Sequence, residues 1–249
     1  MGSSTERAAP PRAPLSRERV VVEAVNLADE NGIGSLTMRR LADRLLVEPM
    51  SLYHHVANKD EILDGMVDVV FREIELPSAG VDWRTAMRDR AASARAALRR
   101  HPWAVGRMES RSNPGPATLC HHDAVIGCLR HAGFSVALTA HAFSVIDSYL
   151  YGFAMQELNL PFHTVEETAA MAEAFLGQFP ADQFPHLAEL TTQHVMQPGY
   201  DYGDEFAFGL DLILDGVERV RTTRRPSRTR AGGRQGAISA DDVLSELPR

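Results

Sequence analysis

Cysteine is scarce in this 249-residue chain, with Cys120 and Cys128 as the two occurrences. Two thiols eight residues apart cannot build a disulfide framework, and the scarcity favours a reduced, cytosolic compartment. They are also too few and too separated for a cysteine zinc site. No apolar run is long enough to span a bilayer, so no membrane segment is expected. The first fourteen residues lack the apolar stretch of a secretory signal. Positive charge is in deficit: 26 Lys and Arg against 33 Asp and Glu give a net charge of -7. The whole chain is therefore no basic nucleic-acid coat, although charge can still be placed locally. Ten histidines raise a metal or enzyme reading. None stands four residues from another, as in H-x-x-x-H or H-E-x-x-H. The adjacent pair His121-His122 would point about 100° apart on a helix. G-x-S-x-G and Gly-rich phosphate loops are missing too. No metal, cofactor or catalytic residue is expected. Clean polar/apolar alternation is absent, so no strand is expected either.

What is present is helical. Hydrophobic residues make up 44% and charged residues 24% of the chain, an ordinary globular balance that excludes disorder of the whole. Ser16 is a good N-cap, and Val21, Ala24, Val25 and Ala28 follow at helical spacing until Asn31-Gly32. Thr37 caps a second helix with Met38, Leu41, Ala42 and Leu45 on one face. Glu48-Pro49 opens a short third helix through Val56, with Pro49 in its first turn. Asn58 caps a fourth, from Lys59 to about Leu76. Pro77-Ser78-Ala79-Gly80 marks a seam, and an Ala- and Arg-rich helix then runs from about Trp83 to Arg100. Further Pro and Gly breaks separate the remaining helices. The expectation is an all-α protein of nine or ten helices, with a small N-terminal bundle and a larger second one. Residues 1–15 read as a flexible arm and 222–249 as a disordered tail whose first part, 222–236, is basic. Residues 16–66 read as one domain and 67–221 as the other.

The densest signal is LTMRRLADRLLVEPMSLYHHVANKDEILDGM, residues 36–66. Two short helices meet at a tight turn, and Ala42 allows their close approach. This is the pattern of a DNA-binding helix-turn-helix whose second helix enters the major groove. The segment resembles the tetracycline repressor (TetR) family of transcriptional regulators at Gly32-Ile33, Leu36-Thr37, Arg39, Leu41-Ala42, Leu45, Val47-Glu48, Leu52-Tyr53, His55-Val56, Asn58-Lys59 and Leu63-Asp64. Trp83, His101-Pro102-Trp103, Ala132-Gly133-Phe134-Ser135, Gly152-Phe153 and the Phe206–Gly216 stretch extend the likeness over roughly residues 16–221. One departure stands in the turn, where the family often has Gly and this chain has Leu46. A leucine in left-handed conformation would cost about 1 kcal/mol.

Residue chemistry assigns roles that the resemblance also implies. Thr37 offers a backbone N–H to a phosphate, and Arg39 suits a guanine edge. Ser51 and Tyr53 suit phosphates, His54 and His55 phosphates or base edges, and Lys59 a backbone phosphate. Eight basic and ten acidic residues in positions 1–65 leave -2, so non-specific affinity should be modest. Binding should rest on a homodimer reading two halves of a palindromic double-stranded DNA operator. The dimer seam is expected on the last helix at Phe206, Leu210, Ile213, Leu214 and Val217, with Gly209 and Gly216 as shallow spots. On the apolar helix at 135–158, His141, Ser144, Asp147 and Tyr151 form a polar stripe. A buried Asp147 needs a partner. The stripe reads as a network at the subunit interface or, in part, as the wall of a ligand cavity. Met87, Ala91, Ala94, Leu98 and Met108, with Asp147 and Tyr151, are the candidate ligand-binding residues. The tetracycline-binding set is not reproduced, with Glu75, Arg90, Ala94 and Met108 at those positions, so the effector is expected to be a different molecule, apolar or aromatic. The function implied is a cytoplasmic repressor released from DNA by a small molecule, and not an enzyme. An effector-independent DNA-binding protein, or an all-α enzyme using His141 and Asp147, are the alternatives.

Overall fold

The computed structural model describes residues 14–223, except 79, 109, 111–112, 163, 179–180 and the side chain of Val165. Most of the expected arm and tail lies outside the described residues. Among these residues there are ten α-helices and no strand: α1 (Arg17–Asn31), α2 (Met38–Leu45), α3 (Pro49–Leu52), α4 (Lys59–Arg72), α5 (Trp83–Arg100), α6 (Pro116–His131), α7 (Val136–Leu158), α8 (Val165–Gln178), α9 (Pro185–Leu190) and α10 (Tyr202–Thr223). One π-helical turn (Thr191–Val195) continues α9.

The first helices begin where short polar side chains can take up free amides. Ser16 Oγ accepts from Arg19 N–H at 3.3 Å, Thr37 Oγ1 from Arg40 N–H at 3.2 Å and Asn58 Oδ1 from Glu61 N–H at 2.9 Å. Two ends differ from expectation. The third helix is regular only to Leu52; Tyr53, His54 and His55 continue as tight turns, each N–H donating to the carbonyl three residues back. The fourth stops at Arg72, short of Leu76. Ile74 turns inward and is buried, and the Glu75 N–H donates to Ser93 Oγ on α5 at 2.9 Å, which takes the chain off the helix axis.

Leu41, Ala42, Leu45, Leu52 and Val56 are buried against α1 and α4. Met66, Val67, Val70 and Phe71 of α4 carry the same apolar cluster on into the larger bundle, against α6. There α5 and α6 pack on α7, and α7 on α10. α4 is therefore the element embedded in both halves.

Candidate functional site: a DNA-reading face and a buried polar cluster

Leu46 joins α2 to α3 with φ 58° and ψ 47°, the left-handed conformation the sequence placed there. Its N–H and that of Val47 close the end of α2 on Asp43 and Ala42 carbonyls. The turn sets α3 across α2 and exposes one continuous surface. Thr37, Arg39, Tyr53, His54 and Lys59 are exposed on it, and Ser51 and His55 are half-buried. Arg39, Arg40 and Lys59 have no ion pair among the described residues. Arg44, by contrast, is held by Glu23 and Glu30 at 2.5 Å each, and Arg17 by Glu61 at 2.8 Å. The domain's net acidity is thus spent away from this face: its carboxylates neutralise arginines on the sides. Met50, 72% exposed at the start of α3, and Leu46, 63% exposed, also lie open. The sequence reading missed both because it assigned apolar residues to the core. Exposed apolar side chains beside a cationic surface suit contact with thymine methyl groups.

The candidate ligand residues are placed unevenly. Met87, Ala91, Ala94 and Leu98 are 0–1% exposed and belong to the packed core. Met108 lines a cavity of about 120 Å³ with Asp64, Val67, Thr118 and His122. Of the polar stripe on α7, Asp147 is buried and Tyr151 half-buried, while His141 and Ser144 are exposed. Steps of three residues drift by about 60° on a helix, so such a stripe spirals from the surface into the bundle.

Asp147 has the partner its burial demands. Arg90 on α5, 1% exposed, places Nη1 2.6 Å from Asp147 Oδ1. Arg90 Nε donates to His121 Nε2 at 3.3 Å. That bond leaves the proton of a neutral His121 on Nδ1. Burial, with the Arg90 charge and His122 adding to it, pushes the His121 pKa down to about 3, so the ring stays neutral. The rings of Phe71 and His121, Phe71 and His122, and His122 and Phe143 pack at 5.2, 5.4 and 5.5 Å. The sequence gave no local sign of this cluster, because its members stand 31 or more residues apart except for the His121-His122 pair.

A clasp joins this region to α4. Asp68, 3% exposed, accepts from the Thr118 N–H at 2.9 Å, from Thr118 Oγ1 at 3.3 Å and from Arg72 Nη2 at 3.0 Å. A carboxylate from one helix thereby caps the start of α6, one turn before His122.

On α10 the expected seam faces the other way. Phe206, Leu210, Leu214 and Val217 are buried inside the protomer against α7, and Ile213 is half-buried. Phe208, Leu212 and Val220 are the exposed apolar residues of the same helix, at 65%, 56% and 38%. The helix has two apolar faces, and its spacing alone does not say which one the protomer uses. Gly209 is taken up by Tyr149, whose hydroxyl sits 3.0 and 3.1 Å from the carbonyls of Glu205 and Phe206; Gly216 is open.

Comparison with known proteins places these features. Residues 20–66 match the family model for bacterial regulatory proteins of the tetR family, and residues 76–221 match the tetracyclin repressor-like C-terminal domain. The HTH-type transcriptional repressor DrrR1 of Streptomyces coeruleorubidus is 34% identical over 224 residues, covering 86% of this chain and 82% of that one. The class D tetracycline repressor protein of Escherichia coli is 29% identical over 210 residues, 83% of this chain and 90% of that one. Among solved structures, the Streptomyces coelicolor TetR family protein ActR in complex with actinorhodin superposes with a TM-score of 0.71 at 27% identity, over 84% of this chain and 98% of that one.

Proposed function

This chain belongs to the tetR family of bacterial regulatory proteins, and from that premise we propose how its residues do the work of a ligand-responsive, DNA-binding transcriptional repressor. It is a regulator by family and acts as a homodimer on operator DNA, with a small molecule as effector. Residues 16–66 form the reading head, and residues 67–221 carry the effector site and the dimer surface. The observation that carries the DNA assignment is the exposed surface around α3, where Arg39, Arg40 and Lys59 stand free of ion pairs while the arginines beside them are neutralised.

On this face Arg39, in the first turn of α2, reads a guanine edge. Thr37, Ser51, Tyr53 and Lys59 hold phosphates, and His54 and His55 contact phosphate or base edges. Met50 adds an apolar contact. Two-fold pairing of protomers through the open faces of α7 and α10, around Phe208 and Leu212, sets two such heads about one helical turn of DNA apart. Effector binding near Met108 and Asp147 favours a head spacing that no longer fits DNA, and by reciprocity operator DNA weakens effector binding.

The test is an operator titration across salt concentrations. Arg39→Ala should cost about 1–3 kcal/mol on the operator and relax base preference at one position of each half-site. Lys59→Ala should weaken specific and non-specific DNA alike and flatten the salt slope. An Arg39→Ala protein with unchanged affinity and selectivity would remove Arg39 from the groove.

A further inference from the structure

The larger bundle buries more hydrogen-bonding capacity than its own side chains satisfy. Arg90, Asp147 and His121 are 1%, 5% and 0% exposed. The Arg90–Asp147 pair is close at 2.6 Å but off the line of a directed hydrogen bond. Both terminal nitrogens of Arg90, both carboxylate oxygens of Asp147, Nδ1 of His121 and Nε2 of His122 lack a directed bond from the protein. Buried polar atoms are nearly always paired, so such a concentration calls for a reason. It lies beside the only small enclosed space found among the described residues near Met108: His122 packs on His121 and also lines the 120 Å³ cavity.

The leftover groups define a complement. Arg90 and Nδ1–H of His121 are donors, and Asp147 offers two acceptor oxygens. The formal charges of Arg90 and Asp147 cancel, and His121 is neutral. An anion would be drawn to Arg90 but repelled by Asp147, and a cation the reverse. A wholly apolar molecule would leave every one of these atoms unpaired, at the cost such groups carry when buried. A carbonyl and a hydroxyl side by side satisfy both, the oxygen facing Arg90 and His121 and the O–H donating to Asp147. The surrounding rings of Phe71, His122 and Phe143 suit a flat aromatic body.

We propose that the Arg90–Asp147–His121 cluster is the recognition edge of the effector site, and that it selects a neutral, planar aromatic molecule bearing a hydroxyl beside a carbonyl. This rests on the reading of the larger bundle as the effector domain and sharpens the apolar or aromatic class expected from the sequence. The cavity is too small for such a body as it stands, being the volume of only about four waters. Entry therefore moves the Met108 side chain and the start of α6.

The probe is a xanthone with one hydroxyl next to its carbonyl, which does not react with the exposed thiol of Cys120. Its methyl ether removes the donor and keeps the ring; unsubstituted xanthone removes both. Affinities are read by fluorescence titration of the full-length dimer, and operator release is read in parallel. The hydroxyl compound should bind about tenfold or more tighter than either control. In the Arg90→Met, Asp147→Leu double variant, which keeps the volume and removes both charges, the preference should fall to within about twofold, with circular dichroism confirming the fold. The single Asp147→Asn variant, which keeps shape and one acceptor, should show an intermediate preference. Equal binding of all three compounds by the wild-type protein, or a preference that survives the double variant, overturns the recognition edge while leaving an effector site in the bundle. Failure of all three to bind overturns the proposed class. Failure of operator release with every small molecule found to bind the bundle would overturn the effector reading beneath it.

Discussion

Gly115 stands at the start of α6 with φ -75° and ψ 173°, a backbone conformation open to any residue. Replacing it with alanine therefore brings no backbone strain, only volume. The added Cβ would overlap the Asp68 carboxylate and lie 2.8 Å from the Asp68 Cβ. Asp68 is buried and cannot swing into solvent without leaving Thr118. Either the carboxylate stays and the helices separate, or it moves and α6 loses its cap. Forced overpacking costs about 1–3 kcal/mol, and a lost cap about 1 kcal/mol. Gly115→Ala should accordingly lower the unfolding free energy by about 2 kcal/mol. Asp68→Ala alone should cost a similar amount, since it leaves the Thr118 amide buried without its acceptor. The two substitutions should not add. With the carboxylate gone, the alanine at position 115 meets nothing, and the cycle should show about 1–2 kcal/mol of coupling. The assay is urea unfolding of the four proteins at one fixed protomer concentration, because dimer stability depends on it. An additive cycle, or a Gly115→Ala protein as stable as the parent, would refute the clasp. Since α6 also carries His121 and His122, the same substitution should weaken operator affinity by part of the 5–150-fold that effector coupling typically spans, roughly.

Other consequences follow from single observations. Leu46→Asn should stabilise the protein by about 0.5–1 kcal/mol, because asparagine tolerates φ > 0 and the leucine is mostly exposed; Leu46→Val should destabilise by about 1 kcal/mol, both measured by denaturant midpoint. Phe208→Asp or Leu212→Asp should weaken dimerisation by tenfold or more in sedimentation experiments without loss of helicity, roughly, whereas Phe206→Ala should cost about 3–5 kcal/mol of folding stability. A dimer indifferent to Phe208→Asp would return the seam to another face. His121 has a folded-state pKa near 3, below its ordinary 6.5, so its contribution to stability is present above pH 6.5 and is lost as pH falls from there toward 3. Over that window the wild-type unfolding free energy should fall with an extra slope of up to about 1.4 kcal/mol per pH unit that His121→Gln lacks; identical slopes would mean that the ring is protonated in place.

The reading head was legible because its signals are local. Ser16, Thr37 and Asn58 each cap the helix their position suggested, and Leu46 takes the left-handed turn that the missing glycine pointed to. The larger bundle was legible in outline only. Asp147 announced the need for a partner, but a partner 57 residues away leaves no spacing to read. The α10 faces could not be sorted because two apolar stripes of similar character share one helix, and only the packing of α7 decides between them. Helix ends failed where tertiary bonds intervene: Ser93 takes the Glu75 amide and ends α4 before the Leu76-Pro77 step that the sequence offered.

The shortened α4 makes a better lever than the longer helix the sequence suggested. Its C-terminal end is fixed. Glu73 pairs with Arg100 at 2.7 Å and with His101 at 3.2 Å, and His101 in turn contacts Asp29 of α1 at 2.9 Å, as does Trp103 at 2.6 Å. These bonds tie α1, α4 and the end of α5 at one point. A helix packed along both halves does not bend easily, so a push on it is answered by tilt about that point. At 1.5 Å per residue, Asp68 lies about 7.5 Å from the pivot at Glu73 and Lys59 about 21 Å from it. A displacement at the clasp is therefore magnified nearly threefold at the DNA end. A shift of about 1 Å at Asp68, the scale of helix movements at such interfaces, carries Lys59 about 3 Å. In a two-fold dimer both heads move, and their separation can change by up to twice that. An operator whose half-sites are fixed by the pitch of DNA does not follow. A small molecule that displaces His122 and the start of α6 thus needs no contact with the reading head to release it.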